Sequence, residues 1–133
     1  TVHFESMSRA EISEIAGEIR NYKMIPALAV KPETPTRDIY EYLPYFDQVL
    51  IFSASLGFQG GEFIEETHQR VREVKERSKN VIIEVDGGIK LNNARRLVED
   101  GADLLVVGSA LTQDHENYSM GQNFERFEIE IKK

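Results

Sequence analysis

The chain has 133 residues, 41% of them hydrophobic and 29% charged, a balance that suits one soluble globular domain over residues 1–133 with a core of its own. Its net charge of −7 comes with no basic stripe, which argues against nucleic acid and anionic membrane surfaces as partners. The absence of cysteine excludes a disulfide framework and a thiolate metal site, and no apolar run approaches the roughly 20 residues of a membrane span.

In chain order, "VHF" (2–4) is a candidate first strand. Residues 8–21 place Ala10, Ile12, Ile15, Ala16 and Ile19 at helical spacing with charges between them. "MIPALAV" (24–30) reads as a buried strand closed by Lys31-Pro32, and Thr36 as the cap of a helix through 37–44 with Ile39, Tyr40 and Leu43 inward. "QVLIFSA" (48–54) is a second apolar run. Residues 62–79 predict a long charged helix with Phe63, Ile64, Val71 and Val74 on one face and His68 in solvent. "VIIEV" (81–85) is a strand, 91–100 a helix with Ala94, Leu97 and Val98 inward and Gly101 as its stop, and "DLLVVGSA" (103–110) a last strand. The tail, "FERFEIEIKK", leans helical, and His115 before it falls in polar sequence.

The strands are continuous apolar runs alternating with helices, the pattern of a parallel sheet with covered faces. Five βα units fall short of the eight strands and about 250 residues of a closed barrel. The residues therefore leave two architectures open, a small open α/β sheet and part of a (β/α)₈ barrel.

Chemistry in either design belongs at the C-terminal ends of the strands. Three consecutive strands end in glycine: "SLGFQGGEF" holds Gly57, Gly60 and Gly61, Asp86 is followed by Gly87 and Gly88, and the last strand runs into Gly108 and Ser109. Any one of these glycines suits a tight turn. Together they favour backbone N–H groups gathered around a phosphate. Asp86 is placed to ligate a metal or move a proton, and equally to cap the helix that follows. Lys31, at another strand end, has a smaller claim to touch a ligand.

The motifs "VHFES", "ALAVKPETP", "LGFQGGEFI", "IEVDGGI" and "VVGSAL", in this order and spacing, resemble the ribulose-phosphate 3-epimerase family over residues 1 to about 112. The resemblance implies a partial TIM (β/α)₈ barrel and a phosphorylated ketose as partner. It implies metal-assisted interconversion of D-ribulose 5-phosphate and D-xylulose 5-phosphate in the pentose phosphate pathway, with two aspartates exchanging the C3 proton through an enediolate. Asp86 matches the family aspartate that is both acid/base and metal ligand. Gly57, Phe58 and Gly60 match the loop beside the substrate, and Gly87, Gly88, Gly108 and Ser109 the phosphate loops. The cofactor implied is a divalent cation, with Zn, Fe, Mn and Co not distinguished. A cytoplasmic location fits the family and the cysteine-free composition.

The chain also departs from the pattern. The family's His-x-Asp pair on strand two, histidine on strand three and serine on strand one have no match, because Thr1 corresponds to the start of strand four. His3 matches a fourth-strand histidine that is not a family metal ligand. Gln59 replaces a glycine of the substrate loop, and Phe52 stands where relatives often carry methionine. The expectation is the last five units of a barrel, completed by a preceding segment or another copy, with open edges near 2–4 and 103–107 that promote self-association. The alternatives are an epimerase of another ketose phosphate, such as allulose 6-phosphate, and a silent phosphate-binding partial barrel.

Overall fold

The order of the strands decides between the two architectures. The computed structural model describes residues 1–55, 61–113 and 117–133. Among them are β1 (Val2–His3), α1 (Arg9–Asn21), β2 (Ala27–Val30), β3 (Gln48–Phe52), α2 (Thr67–Arg77), β4 (Ile82–Asp86), α3 (Leu91–Asp100), β5 (Leu104–Val106), α4 (Ser109–Thr112) and α5 (Met120–Ile131). The sheet runs β1-β2-β3-β4-β5 and every pairing is parallel. A doubly wound sheet reverses its strand order at a switch point, whereas each crossover here steps the same way. All the helices therefore fall on one face, and the result is an open five-stranded arc of an α/β barrel.

Burial follows that geometry. Val49 and Ile51 of β3, with Ile83 and Val85 of β4, are completely buried beneath the helices. Each is worth about 1.5–3 kcal/mol relative to exposure. Their alternates Gln48, Leu50, Phe52, Ile82, Glu84 and Asp86 share the opposite, concave face and are half-buried or exposed. Gln48 donates a hydrogen bond to Glu84 across that face. His3 reaches over β2, where Ala29 leaves room, and stacks on Phe52 with ring centroids 5.6 Å apart. The apolar run of β5 predicts a buried strand, but Leu104 and Val106 are 47% and 41% exposed, because no described residue covers the concave face at this edge.

Local chemistry sets the element boundaries. Ser8 starts α1: its N–H and hydroxyl both donate to Glu11, at 2.8 and 2.6 Å, and Ile12 and Ala16 face the core. The strand expected from Met24 begins only at Ala27, since Pro26 has no N–H for a ladder and Met24 and Ile25 are exposed. The helix expected over 37–44 is two 3₁₀ turns, Thr36–Ile39 and Leu43–Tyr45. Pro44 disfavours the α conformation at Leu43 and removes a donor. α2 starts at Thr67, leaving Phe63 and Ile64 in a strap outside any helix or strand. In α3, Val98 turns outward at 38% exposed. The tail helix, α5, forms as expected and buries Asn123 and Phe127. No helix among the described residues is long and apolar enough to cross a membrane.

Candidate functional site

Asp86 ends β4 on the concave face, in register with Phe52 of β3 and Val106 of β5. Its neighbours across the sheet are thus apolar on both sides. Burial pushes its carboxyl above the usual aspartate range. No hydrogen bond or ion pair engages that carboxyl among the described residues, so it does not cap α3. Asn93 takes that part instead: its Oδ1 accepts from the Lys90 N–H at 2.9 Å.

The turn after Asp86 is fastened on three sides. The Ser53 N–H donates to the Asp86 carbonyl (2.8 Å) and the Ser53 hydroxyl to the Gly87 carbonyl (2.6 Å). The amide of Asn93, itself 7% exposed, donates to the Gly88 carbonyl at 3.1 Å. The strap rests on the third side, with the Ile64 N–H bound to the Ser53 carbonyl at 2.8 Å. Gly87 and Gly88 both have positive φ, 117° and 64°. A Cβ on Gly87 would sit 2.8 Å from the Ala54 Cβ, and one on Gly88 would sit 2.8 Å from the Phe63 nitrogen. Close packing by itself requires glycine at both positions.

Gly108 differs, with open space where its Cβ would be. It precedes α4, whose first residue is Ser109, at the same end of the sheet as the Gly87–Gly88 turn. No backbone acceptor among the described residues takes the N–H groups of Gly88, Gly108 or Ser109. Ser109 also borders a cavity of about 560 Å³ walled by Lys90, Asn92, Gln113, Asn123 and Arg126. Gly57, Phe58 and Gly60, expected beside the substrate, lie outside the described residues, as does His115.

Two buried polar groups, Arg70 and His68, had no signal in the sequence pattern. Arg70, 8% exposed, donates to the carbonyls of Lys31 (2.7 Å), Thr34 (3.2 Å) and Phe52 (3.2 Å), tying the end of β2 to the end of β3. Glu5 accepts from the Lys31 N–H (2.8 Å) and the Thr34 hydroxyl (2.5 Å) on the same loop. Burial raises the Glu5 carboxyl, but these hydrogen bonds outweigh it and hold the group below its ordinary range. Lys31 is fixed by its backbone while its side chain remains exposed. His68, expected in solvent, is 3% exposed and paired with Asp100.

The donor set does not fit a divalent metal by itself. Among the described residues no group of three or more histidine, aspartate or glutamate side chains could hold an ion, and Asp86 would be a lone carboxylate ligand.

The profile of the Ribulose-phosphate 3 epimerase family matches residues 1–112. The chain belongs to this family. The "Ribulose-phosphate 3-epimerase" of Aquifex aeolicus (strain VF5) is 43% identical over 88 residues, 63% of this chain and 40% of that protein. The protein of the same name from Chlamydia trachomatis serovar D is 37% identical over 114 residues, 81% of this chain and 48% of that protein. The chain thus spans about half the length of the curated relatives it matches. The YdjI aldolase from Escherichia coli K12 superimposes with a TM-score of 0.59 over 98% of this chain and 55% of its own, at 9% identity. That likeness is one of fold.

Proposed function

We propose that these residues form the phosphate-holding, one-base half of a ribulose-phosphate 3-epimerase, which inverts C3 between D-ribulose 5-phosphate and D-xylulose 5-phosphate. The observation that carries the proposal is the Asp86 carboxyl: unpaired among the described residues, raised by burial, and at the same end of the sheet as Gly88, Gly108 and Ser109, whose N–H groups meet no backbone acceptor among the described residues. A carboxylate whose proton affinity is raised toward the working pH is a better general base than one in water. Asp86 takes the C3 proton, the bonding pair moves into an enediolate, and a proton returns to C3 from the opposite face. The group that returns it would lie on elements outside these 133 residues. The three N–H groups would hold the phosphate, and Gly57, Phe58 and Gly60 would pass beside the sugar. A divalent cation at Asp86, which would stabilise the enediolate oxygen, would need its other ligands from outside these residues.

One carboxylate cannot supply both faces of an inversion, which favours a silent, phosphate-binding state for the 133 residues alone. Both states are accessible to experiment. In a barrel completed by an N-terminal epimerase half, ribulose 5-phosphate should be turned over, and Asp86→Asn should abolish turnover while leaving phosphate binding in place. Full turnover by the Asp86→Asn protein would remove Asp86 from the mechanism. Turnover by the isolated chain, lost in Asp86→Asn, would show that the missing face is supplied from within it.

A further inference from the structure

His68 is a buried titratable group that the proposed chemistry does not use. It stands on α2 with its Nδ1 2.6 Å from Asp100 at the end of α3, and the other Asp100 oxygen accepts from Arg72 at 2.5 Å. Among the described residues Glu65 also pairs with the ring, 4.0 Å from its Nε2, and Arg96 lies 4.0 Å from that same Glu65. A carboxylate on one ring nitrogen fixes the orientation of an imidazole. The ring so fixed packs against Phe63, with centroids 5.3 Å apart and planes at 63°. The Phe63 backbone in turn lies against Gly88, where an added Cβ would come within 2.9 Å of its nitrogen and Cα. The contacts therefore run without a break from Asp100 through His68 and Phe63 to the turn that follows Asp86.

We infer that His68 is a positioning residue. Anchored by Asp100, it presses the Phe63–Ile64 strap onto the Gly87–Gly88 turn and so sets where the Gly88 N–H points. Its value for a ligand rests on the reading of that turn as a phosphate seat, but its mechanical part does not, and the two can be tested apart.

The Ile64 N–H, bonded to the Ser53 carbonyl, reports whether the strap is seated. In the ¹⁵N-labelled 133-residue chain, His68→Asn keeps a donor for Asp100 and removes the ring edge, while Asp100→Asn keeps the shape and removes the charge. Both should speed Ile64 amide exchange at least tenfold and shift the Gly88 amide resonance, with Val49 and Ile51 of β3 unchanged. Should His68→Asn not fold, Phe63→Leu interrupts the same path and carries the same expectation. Unchanged Ile64 exchange in these variants, or equal acceleration at Val49 and Ile51, would overturn the positioning role, since the latter marks a global loss of stability. Titration with inorganic phosphate is the second arm: the Gly88 amide should respond in the wild-type chain, with about fivefold weaker affinity in His68→Asn. A silent Gly88 in the wild type would sink the phosphate seat and leave the exchange result to judge His68 alone.

Discussion

Replacing Gly88 by alanine should cost far more than replacing Gly108, although both glycines follow strands at the same end of the sheet. At Gly88 φ is +64°, a conformation that costs an L-residue roughly 1–2 kcal/mol. The new Cβ would also lie 2.8 Å from the Phe63 nitrogen, 2.9 Å from the Gly61 oxygen and 2.9 Å from the Phe63 Cα. All three are backbone atoms, so no side-chain rotation relieves the overlap. Either the strap or the turn must move, and overpacking of this kind costs about 1–3 kcal/mol. The sum, roughly 2–5 kcal/mol, is a large share of the roughly 5–15 kcal/mol that holds a domain together. At Gly108 a Cβ meets nothing within 4 Å and φ is −102°. That substitution should stay within about 0.5 kcal/mol. Urea unfolding followed by circular dichroism measures both: Gly88→Ala should lower the midpoint at an unchanged slope, and Gly108→Ala should leave it in place. A loss below about 1 kcal/mol at Gly88, or an equal loss at Gly108, would refute the packing argument.

The same chain yields other expectations. Asp86 is raised in the folded state, so its ionisation opposes folding: Asp86→Asn should stabilise the protein above the raised titration, and the gain should vanish as pH falls below the ordinary aspartate value of about 3.9. Urea midpoints across pH that fall on substitution at neutral pH would reverse that sign. Arg70→Met strips one side-chain hub from three carbonyls and should cost about 2–4 kcal/mol, with a loss under about 1 kcal/mol in thermal unfolding counting against the hub. Leu104, Val106 and Ile82 on the open concave face, with the free edge of β5, should make the chain associate as its concentration rises, and Val106→Lys should weaken this; a compact monomer at all concentrations in sedimentation velocity would argue otherwise.

The parallel arc was legible because each strand is a short apolar run bounded by turn residues, and each long helix carries a periodic apolar face. The errors fell where a single residue overrode the pattern. Pro26 shortened β2, and Pro44 broke the helix expected over 37–44 into 3₁₀ turns, although Ile39 and Leu43 went inward as their spacing indicated. Composition also overstated the burial of β5. Its apolar run suits a strand covered on both faces, but a covering layer is supplied by other elements, and no local pattern records whether they are present.

The candidate site divides along the same line. Asp86 was visible because a lone carboxylate at the end of an apolar strand, next to two glycines, breaks the local rules for strand composition, and such breaks gather where chemistry is done. The buried polar groups around it were invisible because each acts through partners distant in sequence. Arg70 meets carbonyls 18 to 39 residues away, and His68 meets Asp100 at a separation of 32. On a charged helix both residues look like solvated surface, since the pattern of α2 marks which face is buried only through its few apolar members, Val71 and Val74. A polar residue one turn from such a valine can be drawn under the neighbouring helix when a carboxylate or a row of carbonyls waits there to satisfy it. The candidate group, Asp86, can therefore be read from local sequence, while the buried polar groups around it require the register of the sheet and the packing of α2 on α3.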